Sequence, residues 1–149
     1  MRFYSFEELD RDARVISKAV RDEFAPDAIV AIARGGLTFA HAIANALHLR
    51  TIFSINSIHY DDTQKLDTID VFNVPDLELY KRVLLVDDII DSGDSMVEIK
   101  RVLLEKFPQI ELKTAVIFYK PKALIQPDFK ISKTDEWINF FWENYEIEG

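Results

Sequence analysis

The chain has 149 residues, of which 48% are hydrophobic and 30% are charged, and its formal net charge is −8. This length and composition predict a single domain over residues 1–149 with enough apolar chain to form a core. The absence of cysteine excludes disulfides and thiolate metal sites and fits a cytoplasmic location. No apolar run is long enough for a membrane span, and the acidic balance argues against a broad nucleic-acid surface.

The predicted elements alternate between helices and apolar strands. Ser5 and Glu8 have capping-box spacing and predict a first helix that runs to about Phe24 and stops before Pro26. Further strands are predicted over 28–33, 50–58, 83–86 and 112–119, and further helices over 37–47 and 96–107. Unbroken apolar strands suit a sheet that is covered on both faces. We therefore expect an α/β fold with a mostly parallel central sheet flanked by helices.

The stretch from about residue 57 to residue 80 is polar and lacks a strong period. A connection of this length inside a compact domain is usually functional or mobile. We interpret it as a mobile lid loop, with room for a short hairpin, that closes over a charged substrate.

An acidic pair and a glycine loop follow the strand 83–86. Asp87 and Asp88 are adjacent carboxylates, and keeping both ionised requires a cation or donors such as sugar hydroxyls. The loop from Asp91 to Ser95 precedes a helix, so its backbone N–H groups and hydroxyls converge on a spot suited to phosphate. A ribose phosphate with magnesium meets all three needs.

The same residues have simpler interpretations. Asp94 is a possible helix N-cap and Gly93 a possible turn residue, which is ordinary local chemistry. An acidic pair after a strand also occurs in phosphorylation receiver domains, but there the pair follows the first strand, whereas here more than eighty residues precede it.

A second glycine turn follows the strand 28–33. Gly35 and Gly36 lie where this strand passes into a helix, as Gly93 does after the later strand. Glycine at such a junction allows the backbone to approach a ligand closely. Arg34 offers a fork of donors to phosphate oxygens, although a solvated arginine in a plain turn has the same sequence.

The tail from Asp135 to Glu143 contains both tryptophans and two phenylalanines. One interpretation is a hydrophobic strand that covers the core or joins a partner subunit, which favours a homodimer or homotetramer. The other is an aromatic platform for a planar ligand, with Lys120 as a donor to a ligand carbonyl.

Taken together, these residues resemble the type I phosphoribosyltransferases. Val86–Ser95 looks like their signature for 5-phosphoribosyl 1-pyrophosphate, here called the sugar pyrophosphate, and Ala33–Gly36 looks like their pyrophosphate loop. Lys120-Pro121 and the tail 136–143 are similar to the bacterial xanthine-guanine and xanthine-guanine-hypoxanthine members. The resemblance implies the type I fold with a small C-terminal hood, in which residues 120–143 bind the base.

The resemblance also implies how the sugar pyrophosphate is held. Asp87 and Asp88 would hold the ribose hydroxyls, directly or through Mg²⁺, with Asp88 as the metal ligand. Arg34 and Gly35 would meet the pyrophosphate, and Lys65 would be the basic residue on the mobile loop. The 5-phosphate cradle would consist of Ser92, Gly93, Asp94 and Ser95.

For the purine, the resemblance implies four contacts. Asp91 would be the catalytic acid or base at the N7 proton, and Lys120 would donate to O6. Trp137 would stack on the ring, and the backbone around Ile138 would read the 2-position. Asn139 lies beside this segment, so the preference among guanine, xanthine and hypoxanthine stays open.

The implied activity is purine salvage, in which the phosphoribosyl group passes from the sugar pyrophosphate to a 6-oxopurine. Two alternatives remain at this point. One is a regulator that uses the same fold to sense the sugar pyrophosphate and bind nucleic acid, although the acidic charge counts against it. The other is a phosphoribosyltransferase for a different base.

Overall fold

The fold is described for residues 1–60 and 68–149 from a computed structural model. The helices are α1 (Phe6–Glu23), α2 (Leu37–Ala46) and α3 (Asp94–Lys106). The strands are β1 (Arg2–Tyr4), β2 (Ala28–Ala33), β3 (Ile52–Tyr60), β4 (Thr68–Phe72), β5 (Arg82–Val86), β6 (Ile89–Ile90), β7 (Glu111–Ala115), β8 (Phe118–Tyr119), β9 (Ser132–Lys133) and β10 (Ile138–Phe140). A 3-10 turn, Phe141–Glu143, follows β10.

The central sheet has five strands in the order β4-β3-β2-β5-β7. The pairs β3–β2, β2–β5 and β5–β7 are parallel, and only the edge strand β4 is antiparallel to its neighbour. The predicted α/β fold with a mostly parallel sheet is therefore confirmed. No helix in the described ranges has the length and hydrophobicity needed to cross a bilayer.

Helices cover both faces of this sheet, which explains why the central strands are apolar throughout. Ile29 and Leu84 point to the face covered by α1 and α2, where they join one core cluster. Val30 and Leu85 point to the opposite face and pack in a second cluster with α3. Alternate residues of β2 and β5 thus enter different cores, and both sets must be hydrophobic.

The predicted first helix is confirmed with its cap. Ser5 is the N-cap of α1, its hydroxyl accepts from the Glu8 N–H at 3.2 Å, and the Glu8 carboxylate accepts from the Ser5 N–H at 2.9 Å. This reciprocal pairing satisfies two N–H groups at the start of the helix. The helix ends at Glu23, one residue before the position predicted.

The prediction of a single strand over 112–119 is wrong. β7 ends at Ala115, and Phe118–Tyr119 forms β8 in a separate three-stranded sheet with β6 and β9. Between them the N–H of Val116 donates to Phe129 at 3.0 Å and that of Ile117 donates to Asp88 at 3.1 Å. The apolar sequence continues through the break because both sheets bury it, so the sequence carries no mark of the change in partners.

The stretch predicted as a lid contains an antiparallel pairing. β3 extends to Tyr60 and pairs with β4 in a register that matches Asn56 with Phe72 and Tyr60 with Thr68. Residues 61–67, and with them the predicted phosphate contact Lys65, lie outside the described residues. Mobility of the stretch 57–80 stays a prediction.

The apolar tail covers the core of its own chain. β10 pairs in parallel with β1, and Ile138 and Phe140 are buried in the cluster beneath α1 and α2. Phe140 also stacks on Trp142 with ring centroids 4.7 Å apart. The hydrophobicity of the tail is therefore largely accounted for within the chain, and the homodimer or homotetramer stays a prediction.

Candidate active site

The arginine turn and the acidic strand end lie side by side. β2 and β5 are parallel neighbours, with Ala31 opposite Val86, so both strands deliver their following residues to the same edge of the sheet. The turn after β2 carries Arg34, whose side chain is exposed, and the Ala33–Arg34 peptide bond is cis. Acidic and basic groups are thus brought to one edge, as expected for ligand sites in parallel sheets.

Glycine is required at this junction because the backbones are in close contact. A Cβ added to Gly35 would lie 2.5 Å from Oδ2 of Asp88, and one added to Gly36 would overlap the carbonyl oxygen of Val86. The φ of Gly36 is −83°, which any residue can adopt, so space rather than dihedral angle excludes a side chain. These contacts connect the two strand ends directly.

The acidic pair is poorly solvated. Asp88 is 7% exposed, and its N–H donates to Oδ1 of Asp87 at 2.8 Å. Burial, and then the charge of Asp88, raise the pKa of Asp87 well above its ordinary value. Burial raises the pKa of Asp88 to about 6, and the charge of Glu143 adds to this effect. Asp87 is half-buried, so a cation at this edge would relieve both the burial of Asp88 and the repulsion between the two carboxylates.

The donor set fits magnesium that brings most of its own ligands. Among residues 1–60 and 68–149, no group of three or more histidine, aspartate or glutamate side chains is arranged to hold a metal. Mg²⁺ in proteins commonly takes one or two carboxylates and completes its octahedron with water and substrate phosphates. Asp87 and Asp88 supply that kind of partial site.

The predicted phosphate loop is built around a left-handed glycine. Gly93 has φ +92° and is the N-cap of α3, without a side-chain cap. The interpretation of Asp94 as the N-cap is therefore wrong: Asp94 is the first helical residue, and its N–H donates to Oγ of Ser92 at 3.2 Å. A hydroxyl on Ser92 satisfies one terminal N–H, which leaves the Asp94 side chain free of that role. Ser95 lies in the same first turn, where N–H groups lack intrahelical acceptors.

The loop also carries an ion pair. Nζ of Lys120 lies 2.6 Å from Oδ1 of Asp91, with the two side chains 39% and 65% exposed. The N–H of Lys120 donates to the carbonyl of Ile90 at 3.0 Å, which continues the short pairing between β6 and β8. This pairing therefore determines the position of the Lys120 backbone. A donor and an acceptor therefore stand next to each other and in contact with solvent.

This ion pair lines a cavity of about 250 Å³. Trp137 is 72% exposed at its edge, whereas Ile138 is buried. The lining residues come from the acidic strand end, the phosphate loop, β8 and the tail: Asp88, Ile89, Asp91, Lys120, Glu136, Trp137, Ile138, Phe140 and Glu143. The four residues predicted to contact the purine, Asp91, Lys120, Trp137 and Ile138, are thus brought together with Asp88.

A neighbouring cavity of about 380 Å³ lies over the arginine turn, and it too is lined by Glu143. Its other lining residues are Arg34, Gly35, Leu37, Thr38, Trp142 and Tyr145. Glu143 was placed in the tail by sequence but given no role. Its position depends on the 3-10 turn after β10, and no local sequence pattern predicts that turn. The one signal in the sequence is a negative charge next to Phe141 and Trp142.

Comparison with known proteins places the chain in a family. The model of the phosphoribosyl transferase domain matches residues 6–146. The chain belongs to the phosphoribosyltransferase family, which confirms the family resemblance inferred from the sequence.

Within that family the chain is similar to bacterial purine enzymes. It is 31% identical to a xanthine-guanine phosphoribosyltransferase of Ruegeria sp. (strain TM1040), over 93% of this chain and 83% of the relative. It is 29% identical to the protein of that name from Idiomarina loihiensis, with coverages of 95% and 86%. The solved structure of Helicobacter pylori xanthine-guanine-hypoxanthine phosphoribosyltransferase is 34% identical, covers 96% of this chain and 94% of its own, and has a TM-score of 0.90.

Proposed function

We propose that this protein is a purine salvage enzyme that transfers the 5-phosphoribosyl group from the sugar pyrophosphate to a 6-oxopurine. The products would be the nucleoside monophosphate and pyrophosphate. One observation carries the proposal: the arginine turn, the acidic strand end and the cavity bearing Lys120 and Trp137 meet at one edge of the sheet. The printed names of the similar proteins point to the same substrates.

The sugar pyrophosphate would lie across the two strand ends. Arg34 and the Gly35 backbone would bind its pyrophosphate, and the loop Ser92, Gly93, Asp94 and Ser95 would bind its 5-phosphate through N–H groups and hydroxyls. Lys65 is proposed as a further pyrophosphate contact. Asp87 and Asp88 would accept hydrogen bonds from the ribose hydroxyls between these two anionic ends.

Mg²⁺ is the cofactor that this acidic pair fits, with Asp88 as the proposed protein ligand. When bound, it would neutralise part of the charge on the pyrophosphate leaving group. Arg34 would share that task from the other strand end. The buried carboxylates would stabilise positive character at the ribose ring as the bond to pyrophosphate breaks.

The ion pair of Lys120 and Asp91 matches one edge of a 6-oxopurine. O6 is an acceptor and N7–H a donor, and they are neighbours on the ring, just as the ammonium and the carboxylate are neighbours in the cavity. Lys120 would donate to O6, and Asp91 would take the N7 proton as the base is ribosylated. Adenine presents an amino group to the ammonium, which would leave two donors facing each other.

Trp137 and the backbone at Ile138 would orient the base. An exposed indole at the edge of the cavity offers a face on which a purine can stack. Stacking and the two phosphate sites together would hold the purine nitrogen in line with C1 of the ribose. Asn139 follows directly in the chain. The order of preference among guanine, xanthine and hypoxanthine is measured in the assay described next.

The proposal is tested by incubating the protein with Mg²⁺, the sugar pyrophosphate and, separately, guanine, xanthine, hypoxanthine, adenine and uracil. We expect nucleoside monophosphate from at least one 6-oxopurine and none from adenine or uracil. Product only from adenine or uracil would support the alternative of a transferase for another base. No product from any base, together with tight binding of the sugar pyrophosphate and of nucleic acid, would support the regulator.

A cytoplasmic location is part of the proposal because the sugar pyrophosphate is too highly charged to cross a bilayer unaided. The chain carries a net charge of −8, so a regulator that binds nucleic acid would need a local basic surface to overcome repulsion from phosphates. The hypothesis of an enzyme gives a role to the charged groups of the site, whereas the hypothesis of a regulator gives none to the ion pair of Lys120 and Asp91.

A further inference from the structure

The segment that carries Trp137 and Ile138 is held by the other end of the chain. β1 and β10 form a two-stranded parallel sheet, with Arg2 opposite Ile138 and Tyr4 opposite Phe140. The N–H of Arg2 donates to the carbonyl of Trp137 at 3.0 Å. A sheet of only two strands is marginal without support from side chains. Buried Tyr4, Ile138 and Phe140 support this one from the core, and the side chain of Arg2 adds a further contact.

The guanidinium of Arg2 contacts the strand that leads to Lys120. Its central carbon lies 4.9 Å from the ring centroid of Phe118, in β8, and 5.8 Å from that of Tyr4. Phe118 packs in turn against Tyr4 at 5.5 Å and against Phe140 at 6.0 Å. Arg2 therefore contacts a lining residue of the purine cavity, Trp137, through its backbone, and through its side chain it contacts β8, the strand that leads to Lys120.

Glu8 fixes the direction of this side chain. Nη2 of Arg2 lies 2.5 Å from Oε1 of Glu8, and the two side chains are 38% and 23% exposed. Burial opposes ionisation of Glu8, but the hydrogen bond from the Ser5 N–H and the charge of Arg2 outweigh it and lower the pKa of Glu8. Since the other Glu8 oxygen is committed to the capping box of α1, the first helix anchors the guanidinium.

We infer that Arg2 is a positioning residue for the purine, which sets the spacing between the Trp137–Ile138 segment and the Lys120 strand. The inference rests on the proposed function. Arg2 does not line the cavity, so it acts through Trp137 and through β8. The groups proposed for the sugar pyrophosphate lie after β2 and β5 and at the start of α3, and Arg2 has no direct contact with them in the described residues. Loss of its guanidinium should therefore weaken binding of the base more than binding of the sugar pyrophosphate.

The test compares Arg2→Met with Arg14→Met in steady-state kinetics. Met keeps the backbone N–H and much of the apolar stem, but removes the contact with Glu8 and the charge over Phe118. Arg14 forms an ion pair with Asp10 on the exposed face of α1 and serves as the matched control. We expect Arg2→Met to raise the KM for guanine about fivefold or more, which lies within the usual range for a residue that acts on a ligand through its neighbours. The KM for the sugar pyrophosphate should stay within about twofold of wild type.

Two further variants keep the inference testable if Arg2→Met folds poorly. Glu8→Gln retains a capping-box side chain but removes the ion pair, and should raise the KM for guanine in the same direction. Arg2→Lys restores the charge and should recover part of the loss. A purely structural role would instead lower the melting temperature and change both KM values together.

Unchanged guanine KM in both Arg2→Met and Glu8→Gln, or equal rises in the two KM values, would overturn the inference while leaving the proposed function intact. Failure of the wild-type protein to form nucleotide from any base would overturn the proposed function, and the inference with it. The two failures are therefore distinguishable from the wild-type assay alone.

Discussion

Single side chains in this molecule are arranged for chemistry at a cost to stability. Two adjacent carboxylates, Asp87 and Asp88, are held at a buried strand end, and burial raises the pKa of both. Such groups are unfavourable in the free protein and become favourable when a cation or hydroxyl donors arrive. An ion pair between Lys120 and Asp91, by contrast, keeps a donor and an acceptor available at the edge of the neighbouring cavity.

Asp91→Asn tests the proposed proton acceptor. The variant keeps the size of the side chain but cannot take the N7 proton, so we expect kcat to fall by roughly 10²-fold or more, the usual range for a general acid or base. Binding of the sugar pyrophosphate, measured by isothermal titration calorimetry, should be close to wild type. Full activity in this variant would remove Asp91 from the mechanism.

Asp88→Asn tests the cost of the buried charge. The pKa of Asp88 is about 6 in the folded protein and 3.8 for an ordinary aspartate, so the folded state loses stability as pH rises through that window. At pH 7.5, without Mg²⁺ or ligands, we expect the variant to melt higher than wild type by roughly 2–4 °C, which corresponds to about 1 kcal/mol for a chain of this size. The difference should vanish below about pH 4.

The control is Asp135→Asn, which removes the same charge from an exposed residue and should leave the melting temperature unchanged. Calorimetry of all three proteins across this pH range makes the comparison. A lower melting temperature for Asp88→Asn at pH 7.5 would mean that the ionised carboxylate stabilises the fold, contrary to the stated cause.

At the scale of elements, the site depends on how closely β2 and β5 approach at their carboxyl ends. Gly36→Ala places a methyl group against the carbonyl oxygen of Val86, so one strand end must move. We expect a loss of about 1–3 kcal/mol in the free energy of unfolding, measured with urea, and weaker binding of the sugar pyrophosphate. Gly149→Ala adds the same group in open space and should change neither. Equal stability of Gly36→Ala and wild type would show that the junction is looser than described.

Elements with a strong local signal were predictable from sequence. The capping box at Ser5, the apolar run 28–33 and the run 83–86 each determine an element through neighbours in the chain, and the structure has all three. The adjacency of the two strand ends also followed, since parallel strands with similar junctions tend to share an edge.

Features that depend on distant partners were not predictable. The apolar run 112–119 changes sheets at Val116, because its backbone finds acceptors at Phe129 and Asp88. The pairing of β1 with β10 joins opposite ends of the chain and determines where Glu143 lies. Asp94 fails as an N-cap because Gly93, with its left-handed backbone, takes that position. Hydrogen-bond partners across the fold, rather than local pattern, decide each of these.

For the whole molecule, the groups proposed for the sugar pyrophosphate and those proposed for the base come from different parts of the fold. The ends of β2 and β5 and the start of α3 carry the groups proposed for the sugar pyrophosphate. The cavity proposed for the base lies beside them and is lined from the phosphate loop, the end of β8 and the tail. The predicted homodimer or homotetramer lost its original argument when the apolar tail proved to cover its own core. Sedimentation equilibrium measures the oligomeric state directly, since a monomer has a mass of 17.3 kDa.

The two strand ends and the cavity lined by Lys120 and Trp137 are proposed to form one substrate site. The most direct test is a crystal structure of the protein with Mg²⁺ and guanosine monophosphate plus pyrophosphate, the proposed products. We predict the 5-phosphate on the loop Ser92–Ser95, the pyrophosphate beside Arg34, and the base between Trp137 and Lys120. A nucleotide bound elsewhere, or a pyrophosphate away from the arginine turn while the phosphate occupies the loop, would contradict the account.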